Sequence, residues 1–183
     1  MIYTQDNFID TKTIDHYLEI PDSIEWVEAH GDHKNWHNRV YPLLRTDYIS
    51  SVPVLKKIQQ TIQKETGKLV YADTFNLVRW RVGDYQMPHA DAENPNGDPH
   101  PFPWRNYGCM LYLNNNFSGG EIYFPDHDIE IKPRPGLLAF FPGTTEYMHG
   151  VREVTEGTRY TIGSFWTTDY TKRVKKFYDW RLS

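Results

Sequence analysis

The segment from residue 69 to residue 168 constrains the fold most, because it alternates short apolar stretches with turn residues. The stretches are rich in β-branched and aromatic side chains, which favour strands. They span residues 69–81, 107–113, 121–124, 129–132, 137–141, 149–154 and 158–167. Gly, Pro, Asn and Asp clusters separate them, and such clusters mark turns. Short strands at this spacing predict an all-β sandwich or barrel.

Two helices are predicted ahead of the strands. Residues 10–18 place Ile14, Tyr17 and Leu18 on one helical face. Residues 52–65 carry the clearest stripe, which consists of Val54, Leu55, Ile58 and Ile62. Ser50 or Ser51 is the expected cap of this helix, Pro53 is expected in its first turn, and Gly67 follows its end. We expect this helix to pack against the sheet.

The whole chain of 183 residues fits one domain. We divide it into an N-terminal cap with supporting helices (1–68), a β core (69–168) and a C-terminal tail (169–183). The one cysteine, Cys109, excludes an internal disulfide framework. That cysteine usage, with the lack of a leader-like N-terminus, leads us to expect a cytoplasmic protein. No apolar stretch approaches the roughly 20 residues of a membrane span, and a net charge of −4 argues against nucleic acid as a partner.

A candidate metal site consists of His89, Asp91 and His149. Residues i and i+2 of a strand share a face, so His89 and Asp91 are expected to reach one ion from a single strand. Folding must then bring in His149 from a distant strand. Two histidines and one carboxylate are the ligands of non-haem Fe(II) oxygenase sites, which keep coordination positions open. The alternative is a surface histidine beside a turn carboxylate.

A candidate carboxylate site follows the second histidine. Arg159 and Thr161 are again two residues apart and share a strand face. The arginine fork binds a carboxylate through two hydrogen bonds, and the threonine hydroxyl can add a third. Tyr112 lies on the predicted face of Gly108 and Met110, so its phenol is a further candidate. The alternatives are a structural surface arginine and a core tyrosine.

Taken as an ordered set, these segments resemble the prolyl 4-hydroxylase-like branch of the Fe(II)/2-oxoglutarate dioxygenases. The segments that carry the resemblance are 83–91, 111–114, 119–124, 132–141, 149–151 and 157–161. The resemblance covers residues 75–168, about half of the chain. One departure is Trp80, which stands where many relatives have a tyrosine near the co-substrate. We therefore leave Trp80 out of the predicted site.

The resemblance implies a mainly β fold with flanking helices around a double-stranded β-helix, a jelly-roll or cupin-like core. It implies that His89, Asp91 and His149 hold Fe(II), and that Arg159, helped by Tyr112 and Thr161, binds 2-oxoglutarate. O2 would be consumed, and ascorbate would support activity. The expected reaction is hydroxylation of an unactivated C–H bond, with a prolyl residue of a peptide or protein as the expected substrate.

The sequence is compatible with several alternatives. A free amino acid or another small metabolite could replace the peptide. Demethylation of nucleic acid is disfavoured. Enzymes with that activity typically have a second arginine six residues after the first, and this position is Phe165 here. From another class, a non-catalytic jelly-roll module would bind a ligand without turnover, although such a module would be expected to have lost a metal ligand or the arginine. A zinc or manganese cupin-like isomerase would not need Arg159 and Thr161.

Other polar and aromatic residues are less specific. His30, His33 and His37 fall in an expected loop, where hydrogen-bonded histidines are commoner than a metal site. Phe102, Trp104 and Trp166 are candidates for the substrate mouth, with core packing as the alternative for Trp166. The turn-rich loop at 92–101 is of a kind that commonly shapes binding sites. The basic tail from Lys172 is expected to be a solvated helix face.

Overall fold

The computed structural model describes residues 1–23, Trp26 and residues 39–175. Its largest unit is an antiparallel sheet of six strands in the order β1-β9-β5-β12-β3-β2. These strands are β1 (Tyr3–Gln5), β2 (Val40–Pro42), β3 (Tyr71–Arg81), β5 (Tyr107–Tyr112), β9 (Leu138–Pro142) and β12 (Thr158–Thr167). The longest pairing joins β12 to β3, with Arg159 opposite Trp80.

A second antiparallel sheet has four strands in the order β4-β10-β7-β8. Its members are β4 (Gln86–His89), β7 (Ile122–Phe124), β8 (Ile129–Ile131) and β10 (His149–Val151). The short strands β6 (Ser118–Gly119) and β11 (Val154–Glu156) pair with each other. The two larger sheets pack face to face, because Tyr112, Ala139 and Phe141 of one form a buried cluster with Ile122 and Phe124 of the other. This sandwich confirms the predicted jelly-roll type of core.

The outer face of the six-stranded sheet is covered by helices α1 (Thr11–Glu19) and α3 (Tyr48–Thr66), with the short α2 (Leu43–Thr46) between them. The largest buried cluster lies there and includes Tyr17, Leu55, Ile58, Leu111 and Trp166. Alternation along β12 sends Ile162 into this cluster and leaves Arg159 and Thr161 on the opposite face. The face toward the second sheet is thus free for polar chemistry.

Helix α1 forms as predicted, with the Asp10 side chain accepting a hydrogen bond from the Thr13 backbone N–H at its start. Helix α3 begins four residues earlier than expected, at Tyr48, so Ser51 and Pro53 lie inside it. The predicted serine cap and the first-turn proline are therefore wrong. The helix extends because Tyr48 and Val52 continue its apolar stripe against the core. It ends as predicted at Gly67, which is left-handed (φ 67°).

The strand predictions hold to within a residue or two, with one exception. The stretch 149–154 divides into β10 and the start of β11, which join different sheets. Residues 1–68, predicted to be a cap with helices, also contribute β1 and β2 to the six-stranded sheet. None of the helices in the described ranges combines the length and the apolar character that crossing a bilayer demands.

Candidate metal and co-substrate site

The three predicted metal ligands come together at one end of the four-stranded sheet. His89 ends β4, His149 begins β10, and the two are directly opposite each other in the antiparallel pairing. Asp91 does not share the strand with His89 as expected. It lies in a bend two residues beyond the end of β4, where the chain turns its carboxylate back toward both imidazoles.

The side-chain geometry suits a single small cation. One ligand atom from each of the three residues lies within 4.8 Å of the other two. Asp91 Oδ1 is 3.7 Å from Nε2 of His89 and 3.7 Å from Nε2 of His149. The other carboxylate oxygen of Asp91 is buried without a hydrogen-bond partner among the described residues. A buried carboxylate normally has partners, and a divalent cation at the two histidine Nε2 atoms would bind this carboxylate through Oδ1, the oxygen that faces them.

The backbone selects the tautomer that each histidine ligand needs. His89 Nδ1 is 3.0 Å from the carbonyl oxygen of Met87, and His149 Nδ1 is 3.1 Å from that of Tyr147. A carbonyl only accepts, so Nδ1 of each neutral ring carries the hydrogen, and Nε2 presents its lone pair to the metal position. These outer partners are backbone atoms two residues before each histidine, and residue identity gave no sign of them.

Burial keeps the His149 ring in its neutral form. Its surroundings lower its pKa to about 4, chiefly because burial penalises the charged ring, and nearby His89 acts in the same direction. Asp91 and the Tyr147 carbonyl oppose the shift. The ring is therefore neutral near pH 7, which is the form that coordinates a metal.

A glycine makes room for the carboxylate. Gly108 of β5 is on the face that it shares with Met110 and Tyr112, as the alternation predicted. A Cβ built on Gly108 would overlap Asp91 Oδ2 and would lie 2.8 Å from a ring carbon of Phe141. The missing side chain at position 108 thus allows Asp91 to fold in over the sheet.

The predicted carboxylate-binding residues lie on the same inner face. Arg159 is only 1% exposed, and Thr161 pairs directly with Tyr112 across β12 and β5. Arg159 Nε and the Tyr112 hydroxyl are buried and have no hydrogen-bond partner in the described part of the chain. The arginine donates to the sulfur of Met110 at 3.4 Å, a weak acceptor. No carboxylate among residues 1–23, 26 and 39–175 forms an ion pair with Arg159.

Two neighbours of Arg159 were not predicted as site residues. Trp80 is buried on β3, and its ring centroid is 5.4 Å from the Arg159 guanidinium carbon. Met110 supplies the sulfur contact. The i, i+2 relation of Met110 to Tyr112 was a signal for the methionine. Trp80 was excluded from the predicted site because it departs from the family pattern, but its ring lies against the Arg159 guanidinium.

The aromatic residues expected at the substrate mouth divide into two groups. Trp166 is fully buried on the helix side of the sheet, so the mouth prediction is wrong for it and the core alternative holds. Phe102 and Trp104 remain half-buried in the loop after Asp91, with their rings in edge contact at 5.8 Å. His30, His33 and His37 lie outside the described residues.

Comparisons with known proteins identify the family of this chain. The family model of the 2OG-Fe(II) oxygenase superfamily matches residues 75–167, half of the chain. Rat prolyl 3-hydroxylase 1 is 38% identical over 77 residues, which is 39% of this chain but 11% of that protein. Human prolyl 3-hydroxylase 2 is 35% identical over the same length. The chain thus matches about a tenth of the length of these curated relatives.

Solved structures share the fold over most of the chain. A prolyl hydroxylase from Trichoplax adhaerens, in complex with a hypoxia inducible factor peptide fragment, has a TM-score of 0.67 at 17% identity and covers 94% of this chain and 85% of its own. The viral collagen prolyl hydroxylase of Paramecium Bursaria Chlorella virus-1, as its 2OG complex, has a TM-score of 0.64 at 19% identity. It covers 91% of this chain and 94% of its own.

Proposed function

The chain belongs to the 2OG-Fe(II) oxygenase superfamily, and we propose that it hydroxylates a prolyl residue of a peptide or protein, with Fe(II), 2-oxoglutarate and O2. His89, Asp91 and His149 would hold the iron. Arg159, Tyr112 and Thr161 would bind the far carboxylate of 2-oxoglutarate. Bound iron would supply the oxidising chemistry: the co-substrate would be converted to succinate and CO2, with one oxygen atom of O2 entering the succinate and the other the hydroxyl group formed at the substrate C–H bond.

One observation carries the proposal: a buried guanidinium without an anionic partner in the described ranges lies on the inner face of the six-stranded sheet, which packs on the sheet that carries His89 and His149. Burying a charge without a partner is costly. An anionic ligand is therefore expected at Arg159, and the fork favours a carboxylate. The unpaired Tyr112 hydroxyl supplies a donor for the same group. A dicarboxylate would satisfy Arg159 with one end and would offer its other end to the metal.

The protein's own groups then have distinct tasks. The Met87 and Tyr147 carbonyls fix the tautomers of the two histidines. The two sheets exclude water from the arginine, which strengthens its hydrogen bonds to the co-substrate. The prolyl substrate is inferred from the relatives and structural neighbours, whose names are those of prolyl hydroxylases.

The co-substrate half of the proposal is tested by succinate release. Purified protein is given Fe(II), 2-oxoglutarate and ascorbate, and succinate is measured without a peptide. We expect slow turnover that His149→Ala abolishes and that His16→Ala, on the distant helix α1, leaves unchanged. If the wild-type protein neither releases succinate nor binds 2-oxoglutarate in calorimetry with Mn(II) under anaerobic conditions, the enzyme assignment is wrong and the protein is a ligand-binding module.

The substrate half is tested separately. Proline-containing peptides and free proline are incubated with the complete system, and mass spectrometry follows the gain of one oxygen atom. We expect oxidation of a peptide, with amino-acid analysis deciding between the 3- and 4-positions of the ring. Oxidation of free proline with no reaction of any peptide would replace the peptide substrate by a small metabolite and leave the rest of the proposal in place.

A further inference from the structure

The loop between Asp91 and β5 is held at both ends beside the metal ligands. At its start, the Ala92 backbone N–H donates to the Gly143 carbonyl at 2.9 Å. At its end, the Asn106 carbonyl accepts from the Gly143 N–H, also at 2.9 Å. Glu93 accepts from the Thr145 N–H at 2.7 Å. Both ends of the loop are thus bound to the same turn after β9.

Arg105 holds the second half of this loop against the inner face. Its guanidinium pairs with Asp73 at 2.9 Å. It also lies between two rings, with its carbon 3.8 Å from the centroid of Phe102 and 3.9 Å from that of Phe165. Phe165 is on β12 directly opposite Gly108, the residue that makes room for Asp91. A continuous set of contacts therefore links Phe102 to the edge of the metal site.

His100 is the titratable side chain that this arrangement presents next to Phe102. It lies between Pro99 and Pro101, so the backbone on both sides has restricted conformations. The Phe102 N–H donates to His100 Nδ1 at 3.1 Å. The ring is half-buried, and its centroid is 6.1 Å from that of Phe102. The imidazole is thus oriented by its own loop before any ligand binds.

The hydrogen bond to Nδ1 gives His100 the opposite tautomer from the two metal-binding histidines. A backbone N–H only donates, so Nδ1 of His100 is the acceptor, and the hydrogen of the neutral ring is on Nε2. In His89 and His149 the Nδ1 atoms face carbonyl oxygens, and the Nε2 atoms face the Asp91 carboxylate at the metal position. His100 instead presents an N–H donor.

His100 is also neutral and close to the site. Burial, and next the positive charge of Arg105, lower its pKa below the ordinary value. Asp91 opposes this shift. The contacts that run from His100 through Phe102, Arg105 and Phe165 to Gly108 place this loop beside the metal ligands.

A prolyl peptide offers groups to which the His100 Nε2–H could donate. Proline has no backbone N–H, so around the reacting residue the peptide offers carbonyl oxygens as its hydrogen-bonding groups. An enzyme that holds a prolyl residue must supply the donors itself. We propose that His100 is a substrate-binding residue whose Nε2–H donates to a backbone carbonyl oxygen of the bound peptide. This inference rests on the proposed function and adds a contact to its peptide substrate.

The tautomer is tested first, without a substrate. Nitrogen-15 spectra of the imidazoles are recorded on the Zn(II)-loaded protein, which is diamagnetic, with His100→Gln used to assign the signal. We expect His100 to carry its hydrogen on Nε2, and His89 and His149 to carry theirs on Nδ1. A signal for His100 with the hydrogen on Nδ1 would overturn the inference.

The substrate contact is tested by binding. A peptide of five Pro-Pro-Gly repeats and 2-oxoglutarate are each titrated into the anaerobic Mn(II) protein. His100→Leu should raise the Kd of the peptide by about two- to twelvefold, since a net hydrogen bond contributes roughly 0.5–1.5 kcal/mol. It should leave the 2-oxoglutarate Kd unchanged. His100→Gln keeps an N–H at the end of the side chain and should retain most of the affinity, and His16→Gln is the matched control.

Each other outcome decides against the contact. Unchanged peptide affinity in His100→Leu would show that His100 forms no hydrogen bond with the peptide. Equal weakening of peptide and 2-oxoglutarate makes His100 a structural residue of the loop. If the wild-type protein binds 2-oxoglutarate and no peptide, the peptide substrate of the proposed function fails, and this inference fails with it. If it does not bind 2-oxoglutarate, the co-substrate assignment itself has failed.

Discussion

At the scale of single residues, the absence of a side chain at position 108 matters as much as the ligands themselves. A methyl group there would overlap Asp91 Oδ2, and Phe141 blocks the other direction. We expect Gly108→Ala to push the carboxylate out of place and to raise the Mn(II) Kd at least tenfold. Gly163→Ala is the matched control, because among the described residues its Cβ would meet only Val78, at 3.2 Å. Calorimetry measures both, and equal metal affinity would contradict the spatial argument.

Arg159 is the second residue with a specific consequence. Hydrogen bonds to charged groups contribute roughly 1.5–3 kcal/mol each, so Arg159→Ala should raise the KM for 2-oxoglutarate at least tenfold. The metal Kd should change far less, since Arg159 does not belong to the cluster of metal-ligating atoms. Arg134→Ala removes an exposed arginine that pairs with Asp6 and serves as the control. An unaltered KM in Arg159→Ala would refute its role.

Cys109 gives a prediction about pH. Burial raises the pKa of its thiol to about 12, and only the thiolate reacts with alkylating agents. The native protein should therefore resist iodoacetamide at pH 8 and still at pH 9, whereas the denatured chain, with an ordinary thiol pKa near 8.5, should react increasingly over that range. Mass spectrometry after timed labelling distinguishes the two. Rapid labelling of the native protein would show that the thiol is exposed.

At the scale of elements, helix α3 holds the sheet that carries Arg159. Ile58 on its inner face is fully buried, and Ile49 in its first turn is 87% exposed. Truncating a buried isoleucine typically costs about 2–5 kcal/mol, whereas an exposed one costs within about 0.5 kcal/mol. Urea unfolding should show this contrast between Ile58→Ala and Ile49→Ala. Similar losses in both variants would mean that α3 does not pack on the core as described.

Sequence patterns predicted these elements unevenly. Alternation and turn residues located the strands, and the i, i+2 rule placed Arg159 with Thr161 correctly. The start of α3 was missed because Pro53 resembles a first-turn residue, whereas the packing of Tyr48 on the core decides where the helix begins. Asp91 reaches the site from a bend rather than from the strand. The carbonyls that fix the histidine tautomers are backbone atoms, which every residue has, so no pattern could reveal them.

At the scale of the whole molecule, a bound metal should stabilise the native state. Its ligands come from β4, the following bend and β10, and this arrangement exists only in the folded chain. A ligand at 100 times its Kd stabilises by about 2.7 kcal/mol. We expect Mn(II) to raise the Tm of the wild-type protein and to leave that of His149→Ala almost unchanged. An equal increase in both would show binding elsewhere.

His89 pairs directly with His149 across β4 and β10, so metal binding depends on the register of these two strands. Side chains alternate between faces, so a slip of one residue would turn one imidazole away from its partner. A chain refolded in the slipped register would have nearly the same secondary structure and no metal site. A refolded sample could therefore be passed over a chelating resin charged with metal. The fraction that the resin retains, after subtraction of the fraction retained for His149→Ala, would measure the proportion of molecules in the correct register.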